Sequence, residues 1–186
     1  PDCPDFDVDA MIETYRRWRV TAFSFFAAGY ITTYPSKLPF MRLSPGMASR
    51  DLTGEIIEKA HQANMLAVPM IDVGEIPLDV AEKYPSWAGR NRDGGFYYKT
   101  DVIASACPNG GYVRNASREM VEELNERYDL DGMKFGGASQ IMPGAVCYCE
   151  SCKKRYRDEM GRDLPPDDDL TTTEYSDYLL WRDRVK

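Results

Sequence analysis

The chain has 186 residues, of which 43% are hydrophobic and 28% are charged, which is ordinary usage for a globular domain. Its 30 acidic residues outnumber its 23 basic ones, and the formal net charge is −7 with no basic run, so neither a nucleic-acid nor an anionic-membrane partner is expected. No apolar run approaches the roughly 20 residues of a membrane span. With no signal peptide visible, we expect a cytoplasmic chain that forms one domain, or part of one, over residues 1–186.

Hydrophobic periodicity predicts alternating helices and strands along the chain. The predicted elements, in order, are helix 7–19, strand 20–29, helix 51–64, strand 65–73, a short helix 78–84, helix 111–128, strand 130–137, a helix ending at Met160, and helix 171–186. The strands are mostly apolar runs, as is typical of parallel strands covered on both faces. Residues 76–100 are predicted to be irregular apart from the short helix, and so long an insertion is usually functional or disordered.

Loop lengths distinguish the two parallel architectures that such a pattern allows, a doubly wound sheet and a (β/α)8 barrel. The long insertions follow strands, whereas the connections from helix to strand are very short. This asymmetry is expected when functional loops gather at the carboxyl face of a barrel. A whole barrel takes about 250 residues. We therefore predict an α/β fold that is a partial (β/α)8 barrel of the TIM type.

Four cysteines form the most specific motif. Cys147, Cys149 and Cys152 lie within six residues at the start of a predicted helix, and Cys107 lies upstream. This spacing lets three sulfurs converge on one tetrahedral ion while the distant fourth completes an all-thiolate shell, so we predict a structural Zn²⁺ site. Two alternatives stay open, namely ordinary reduced cysteines of an intracellular protein and a surface disulfide between two of them. Cys3 is left over.

The motifs resemble those of a known family. Cys107-Pro108-Asn109 before a helix, and Cys147-Tyr148-Cys149-x-x-Cys152 after the strand containing Asp131-Gly132, are similar to family 42 glycoside hydrolases, β-galactosidases with a four-cysteine zinc site. The chain is more similar still to related hypothetical glycosyl hydrolases, whose patterns match residues 24–27, 34–37 and 85–87. The resemblance covers about residues 5–165. It implies the amino-terminal half of a glycosidase-like (β/α)8 barrel, with strands about two to four present and the first strand located before Pro1.

One departure from the family concerns catalysis. Family 42 enzymes have an Asn-Glu pair at the end of the fourth barrel strand, whereas this chain reads Phe135-Gly136-Gly137-Ala138-Ser139. Glycoside hydrolysis ordinarily needs two carboxylates, roughly 5 to 10 Å apart. Three explanations stay open: another carboxylate is used, Gly136 was introduced to inactivate the enzyme, or the protein binds sugar without cleaving it.

Two acidic residues at the end of the second predicted strand are the best remaining candidates. Barrel chemistry takes place at the carboxyl ends of strands, so Asp72 and Glu75 are predicted to be the catalytic carboxylates. The alternative is that they cap a helix or face water. Asp131, at the start of the third strand, is expected at the opposite face, where residues stabilise the fold, and His61 is expected to be a surface residue and not a ligand.

Four further residues are predicted to bind substrate. Tyr30 and Trp87 lie in loops that follow strands, where aromatic faces can stack on sugar rings, although loop aromatics often serve only in packing. Lys134, inside an apolar strand, is either an inward group with a partner or a strand end that reaches water. Asn109 joins this group through the motif that carries the resemblance.

Two functions are therefore considered. The first is a glycoside hydrolase-like barrel that acts on O-glycosyl bonds of a carbohydrate, with retaining chemistry favoured by the resemblance, and that is inactive as this fragment. The second is a non-catalytic carbohydrate-binding or interaction module on the same scaffold. In either case a partial barrel exposes sheet edges and the apolar inner faces of Phe23, Phe25, Met70 and Met133. We expect the rest of the barrel in a longer chain, or self-association, to cover them.

Overall fold

The computed structural model describes residues 5–137, 145–166 and 171–185, so that Cys3, Ala138 and Ser139 lie outside the described residues. The helices are α1 (Val8–Arg17), α2 (Leu52–Gln62), α3 (Leu78–Lys83), α4 (Ser117–Arg127), α5 (Glu150–Met160) and α6 (Thr173–Val185). The strands are β1 (Ala22–Ala28), β2 (Leu66–Asp72), β3 (Glu75–Pro77), β4 (Tyr98–Thr100), β5 (Ile103–Ser105) and β6 (Lys134–Gly136). None of the helices in this described part of the chain combines the length and apolar character that crossing a membrane requires.

The helices and strands predicted from periodicity are all present, although β6 is shorter than the predicted strand 130–137 and a π-helical turn, Tyr112–Ala116, precedes α4. The prediction that residues 76–100 are irregular is wrong in part, because β3 and β4 form within this stretch or at its edge. Each of these strands has only three residues. A segment that short shows no alternation of apolar and polar residues from which a strand can be recognised.

The chain forms two compact units. The first unit consists of Pro1–Asp72 and Glu119–Gly136, and the second consists of Val73–Arg118 and Gly137–Lys186. Each unit has its own three-stranded sheet and its own buried cluster of side chains. The parallel sheet predicted from the sequence lies in the first unit.

The sheet of the first unit is parallel, with the strand order β1-β2-β6. Phe26 pairs with Met70, and Met70 pairs with Lys134, so these three side chains lie on one face of the sheet. Residues of α1 and α2, among them Ile12 and Ile56, form the buried cluster on the opposite face. Burial of this apolar face is the main favourable contribution to the stability of the unit.

The expectation that Phe23 and Phe25 lie on the inner face of a barrel is wrong. Phe23 pairs with Ala67, and both phenylalanines pack against the cluster formed with α1 and α2. Side chains alternate strictly between the two faces of a strand, so these phenylalanines lie opposite to Phe26 and Met70. The continuous apolar run of β1 gives no alternation that would have indicated the face.

The second unit contains an antiparallel sheet with the strand order β3-β5-β4, in which Glu75 pairs with Ser105. Gly74, just before β3, makes a close approach to the backbone after β6. A Cβ atom at Gly74 would lie 2.1 Å from the carbonyl oxygen of Gly137. No other residue can be accommodated there without moving the backbone.

The buried carboxylate of Glu123 on α4 holds the loop that follows β1. It accepts hydrogen bonds from the Tyr34 hydroxyl at 2.9 Å, from the Ser36 hydroxyl at 2.6 Å and from the backbone N–H of Lys37 at 2.6 Å. Burial, and then the charge of Glu123, raise the pKa of Tyr34 above its usual range, so the hydroxyl remains a donor. Three donors compensate the cost of burying this carboxylate.

We expect Glu123→Ala to lower the free energy of unfolding by about 2–4 kcal/mol, because three donors lose their shared acceptor. Urea-induced unfolding followed by circular dichroism measures this loss. The matched control is Glu126→Ala, which removes an exposed carboxylate from the same helix and should change stability by about 0.5 kcal/mol or less. Equal losses for the two variants would contradict the role assigned to Glu123.

Asp131 connects the segment before β6 to the start of β2. One carboxylate oxygen, Oδ2, accepts a hydrogen bond from the backbone N–H of Ala67 at 2.8 Å and lies 2.9 Å from Nε2 of His61. The Ala67 N–H, and then the His61 ring, hold the pKa of the Asp131 carboxyl below its ordinary value. The predicted structural role of Asp131 is thereby confirmed.

The lowered pKa of Asp131 makes the stability of the chain dependent on pH. A carboxyl whose pKa is lower in the folded state contributes its stabilisation above the unfolded pKa, about 3.9, and loses it as the pH falls through the folded pKa. Wild-type protein should therefore lose more stability between about pH 5 and pH 2.5 than Asp131→Asn, as urea unfolding at each pH would show. Asp129→Asn, at an exposed neighbouring position, should follow the wild type. The same pH dependence in wild type and Asp131→Asn would refute the assignment.

Candidate functional site

The four cysteines predicted to bind a metal come together in the second unit. Cys107 lies two residues after β5, Cys149 is the N-cap of α5, and Cys152 lies in the first turn of that helix. All four side chains, including Cys147, are buried, and their sulfur atoms lie within 4.8 Å of one another. The fold thus joins two motifs that are at least 40 residues apart in the sequence.

The distances between the sulfurs fit a single tetrahedral metal ion. The Sγ atom of Cys107 lies 3.3 Å from that of Cys149, 3.4 Å from that of Cys152 and 3.8 Å from that of Cys147. A tetrahedron with metal–sulfur bonds of about 2.3 Å has edges of about 3.8 Å. A disulfide requires a sulfur–sulfur distance of about 2.05 Å, so the alternative of a disulfide does not describe these four thiols.

The ionisation of the cysteine thiols also favours the binding of a cation. Hydrogen bonds from Cys107, Cys147 and Cys152 hold the pKa of the Cys149 thiol below its usual range. The hydrogen bonds of Cys107 with Cys147 and the other thiols, together with burial, raise the pKa of Cys107. Buried negative charges this close repel each other, so the several thiolates of a metal site are unfavourable here without a cation. A divalent cation removes that repulsion, and an all-sulfur set suits a soft or borderline metal.

Aromatic side chains of α5 and α6 enclose the cysteines. Tyr156, Tyr175, Tyr178 and Trp181 belong to the same buried cluster as the four thiols. The Tyr178 hydroxyl accepts a hydrogen bond from the backbone N–H of Cys147 at 3.1 Å. The sequence indicated Tyr175, Tyr178 and Trp181 only as the apolar face of the predicted helix 171–186, because a metal-binding motif does not indicate which helix packs on it.

The structure places Asn109, a predicted substrate-binding residue, beside this cluster. Its Nδ2 lies 3.3 Å from the sulfur of Cys152, and its Oδ1 accepts a hydrogen bond from Arg155 at 2.8 Å. The amide is therefore engaged with a sulfur on one side and a guanidinium on the other.

Asp72 and Tyr30 line one cavity of about 400 Å³ in the first unit. Asp72 is the last residue of β2 and Tyr30 follows β1, so both lie at the carboxyl ends of adjacent parallel strands. Most of the remaining wall is apolar and comes from α1, α2 and the β1–α2 loop. Gly29 leaves room for the carboxylate, since a Cβ atom there would lie 3.0 Å from the Cβ of Asp72.

The other predicted residues occupy different surroundings. Glu75 accepts a hydrogen bond from Nζ of Lys99 at 2.9 Å within the second unit. The ring of Trp87 stacks on Tyr84, with 4.2 Å between centroids and 11° between planes, so one of its faces is covered. Lys134 is exposed on β6. Of the predicted catalytic and substrate-binding residues, the structure brings Asp72 and Tyr30 to one cavity.

Residues 7–135 match the family described as Hypothetical glycosyl hydrolase 6. The chain belongs to this family. The matched stretch contains Tyr30, Asp72 and Cys107, and it ends before the cysteine motif at Cys147. The predicted resemblance to the hypothetical glycosyl hydrolases is confirmed, while the resemblance to family 42 stays a prediction. No curated protein matches the chain.

Solved structures share the fold at low sequence identity. The α-L-fucosidase isoenzyme 2 from Paenibacillus thiaminolyticus has a TM-score of 0.65 and 23% identity over 97% of this chain and 27% of its own. A hypothetical protein from Ruminiclostridium thermocellum ATCC 27405 has a TM-score of 0.57 and 12% identity over 95% of this chain and 84% of its own. The GH20 exo-β-N-acetylglucosaminidase from Vibrio harveyi has a TM-score of 0.53 and 12% identity over 94% of this chain and 31% of its own. The chain thus spans less than a third of either glycosidase.

Proposed function

We propose that this chain is part of a carbohydrate-acting (β/α)8 barrel of the glycoside hydrolase type, in which Asp72 and Tyr30 contact the sugar. The single observation that carries the proposal is the family match over residues 7–135, which includes both residues. The glycosidases that share the fold support it.

The parallel sheet supports assignment to a partial barrel. Its strands follow one another in the order β1-β2-β6, each preceded by a helix, as consecutive strands of a (β/α)8 barrel do. In that assignment β1, β2 and β6 are barrel strands two to four. Asp72 and Tyr30 then lie at the carboxyl face, where barrel enzymes bind their substrates.

The chemistry of the cavity suits sugar binding. A carboxylate such as Asp72 accepts hydrogen bonds from sugar hydroxyl groups, and an aromatic ring such as Tyr30 stacks on the apolar face of a pyranose. Among the described residues that line the cavity, Asp72 is the one carboxylate. Because hydrolysis ordinarily takes two, we propose that these 186 residues by themselves bind carbohydrate without cleaving it.

A panel of 4-nitrophenyl glycosides, including the α-L-fucoside and the N-acetyl-β-D-glucosaminide, tests both parts of the proposal. Calorimetry should detect binding of at least one glycoside, and absorbance should detect no release of 4-nitrophenol. Asp72→Asn should weaken that binding by about tenfold or more, because it removes a charged acceptor. Asp93→Asn, at an exposed position of the second unit, should leave binding unchanged.

The outcomes show whether the chain binds carbohydrate and whether it cleaves it. Failure of every glycoside to bind would contradict the carbohydrate assignment. Release of 4-nitrophenol by wild type but not by Asp72→Asn would show that the chain is catalytic and that Asp72 takes part in cleavage. Binding without release supports the proposal as stated, which is also the behaviour of a non-catalytic module.

We further propose that the metal of the cysteine cluster is zinc and that its role is structural. Tetrahedral coordination by four thiolates is the usual arrangement of structural zinc, and it leaves no position open for a reacting water. Burial of all four cysteines among the side chains of α5 and α6 supports this role.

We expect protein purified without chelator to contain one zinc per chain by elemental analysis. Cys147→Ser should lose the zinc and destabilise the protein by several kcal/mol, since metal binding contributes directly to folding. The control is Cys3→Ser, which replaces the cysteine that is not part of the predicted zinc motif and should keep both the zinc content and the melting temperature. Wild-type protein that contains no zinc and is nevertheless as stable as zinc-loaded protein would refute this proposal.

A further inference from the structure

The amide of Asn109 has an orientation fixed by its neighbours. Its Nδ2 donates to the sulfur of Cys152 at 3.3 Å, while its Oδ1 accepts from Arg155 at 2.8 Å and from Arg114 at 3.2 Å. Guanidinium groups can only donate, so the oxygen must face them and the N–H group must face the sulfur. The side chain is half-buried, which limits competition from water.

The contacts of Asn109 continue through α5 to α6. Nε of Arg155 donates to Oε1 of Glu159 at 2.6 Å, and Nε1 of Trp181 donates to Oε2 of the same carboxylate at 2.7 Å. Arg155, and then Trp181, lower the pKa of Glu159, so the carboxylate stays ionised near neutral pH. An unbroken chain of hydrogen bonds thus connects the sulfur of Cys152 to the indole of Trp181.

A hydrogen-bond donor to a cysteine sulfur, such as the Asn109 amide, is favourable here for electrostatic reasons. Four thiolates around one divalent cation leave an excess of two negative charges in a buried site, and hydrogen bonds to sulfur stabilise that excess. Two guanidinium groups on Oδ1 polarise the amide and strengthen its N–H as a donor. Groups that hold metal ligands in this way commonly change metal affinity by about 10–100-fold when they are replaced.

We propose that Asn109 is a positioning residue of the metal site, which stabilises the Cys152 thiolate by donating a hydrogen bond to its sulfur and couples the bound metal to α6 through Arg155 and Glu159. This inference rests on the proposed zinc site. It gives Asn109 a role in holding the cysteine ligand, which differs from the substrate contact predicted from the sequence.

Zinc affinity of the full chain, measured by competition with a chromophoric chelator, provides the first test. Asn109→Asp keeps an oxygen for the two arginines but replaces the N–H group with an acceptor, so it should weaken zinc binding by about tenfold or more. Asn109→Ala should weaken it as well. Asn125→Asp, an exposed asparagine of α4 in the first unit, is the matched control and should bind zinc like wild type.

The two substitutions distinguish donation to sulfur from a bridge between arginines. Wild-type affinity in Asn109→Asp, with loss only in Asn109→Ala, would mean that the arginine contacts alone matter and would overturn the inference. Wild type that binds no zinc would overturn the zinc proposal together with this inference. Retained zinc affinity in wild type and Asn125→Asp, with a loss in both Asn109 variants, supports it.

Cobalt(II) supplies a readout that a general loss of stability does not change. A hydrogen bond to a thiolate lowers the energy of its sulfur electrons, so the sulfur-to-cobalt charge-transfer band lies at higher energy when the bond is present. The near-ultraviolet band of the cobalt-loaded Asn109→Ala variant should therefore shift to longer wavelength relative to wild type. An unshifted band in a folded, cobalt-loaded variant would overturn the inference.

Discussion

The second unit depends on the convergence of four thiols in its core. Their sulfurs lie within 4.8 Å of one another, a distance at which buried thiolates repel each other. A bound cation would remove this repulsion and would crosslink the loop after β5 to the start of α5. The sheet of this unit has strands of three residues each. Aromatic side chains of α5 and α6 pack on the cysteines, so the cysteine cluster lies within a hydrophobic core.

The first unit is stabilised differently, by hydrogen bonds from α4 and the residue just after it to the two ends of the long β1–α2 loop. Glu123 on α4 binds the start of the β1–α2 loop. The hydroxyl of Tyr128, just after α4, donates to Asp51 at 2.8 Å, and Asp51 caps α2 at the end of the loop. Fixed ends restrict the conformations of the segment between them, which lowers the entropy lost when a ligand binds there. Ser44 and Met47, within this segment, line the same cavity as Tyr30 and Asp72, so the network around α4 supports the candidate sugar site.

The features that could be predicted from the sequence are those encoded locally. The apolar spacing predicted α1, and the spacing of the cysteines predicted a cluster that the structure brings together. Features that depend on register or on distant partners could not be predicted. The face on which Phe23 and Phe25 lie follows from pairing with β2, and the contact of Asn109 with Cys152 joins residues 43 positions apart. Antiparallel strands of three residues are too short to leave a periodic signal.

The two sites divide the chemistry between them. Four protein sulfurs would fill a tetrahedral shell, so the proposed zinc has no position for a substrate or a water, and in the proposed barrel the cleavage of a glycosidic bond would require carboxylates. Asp72 is one carboxylate in a largely apolar wall, whereas cleavage of a glycoside ordinarily needs two carboxyl groups with different roles. Under the proposed function, the cavity therefore supplies one carboxylate of such a pair.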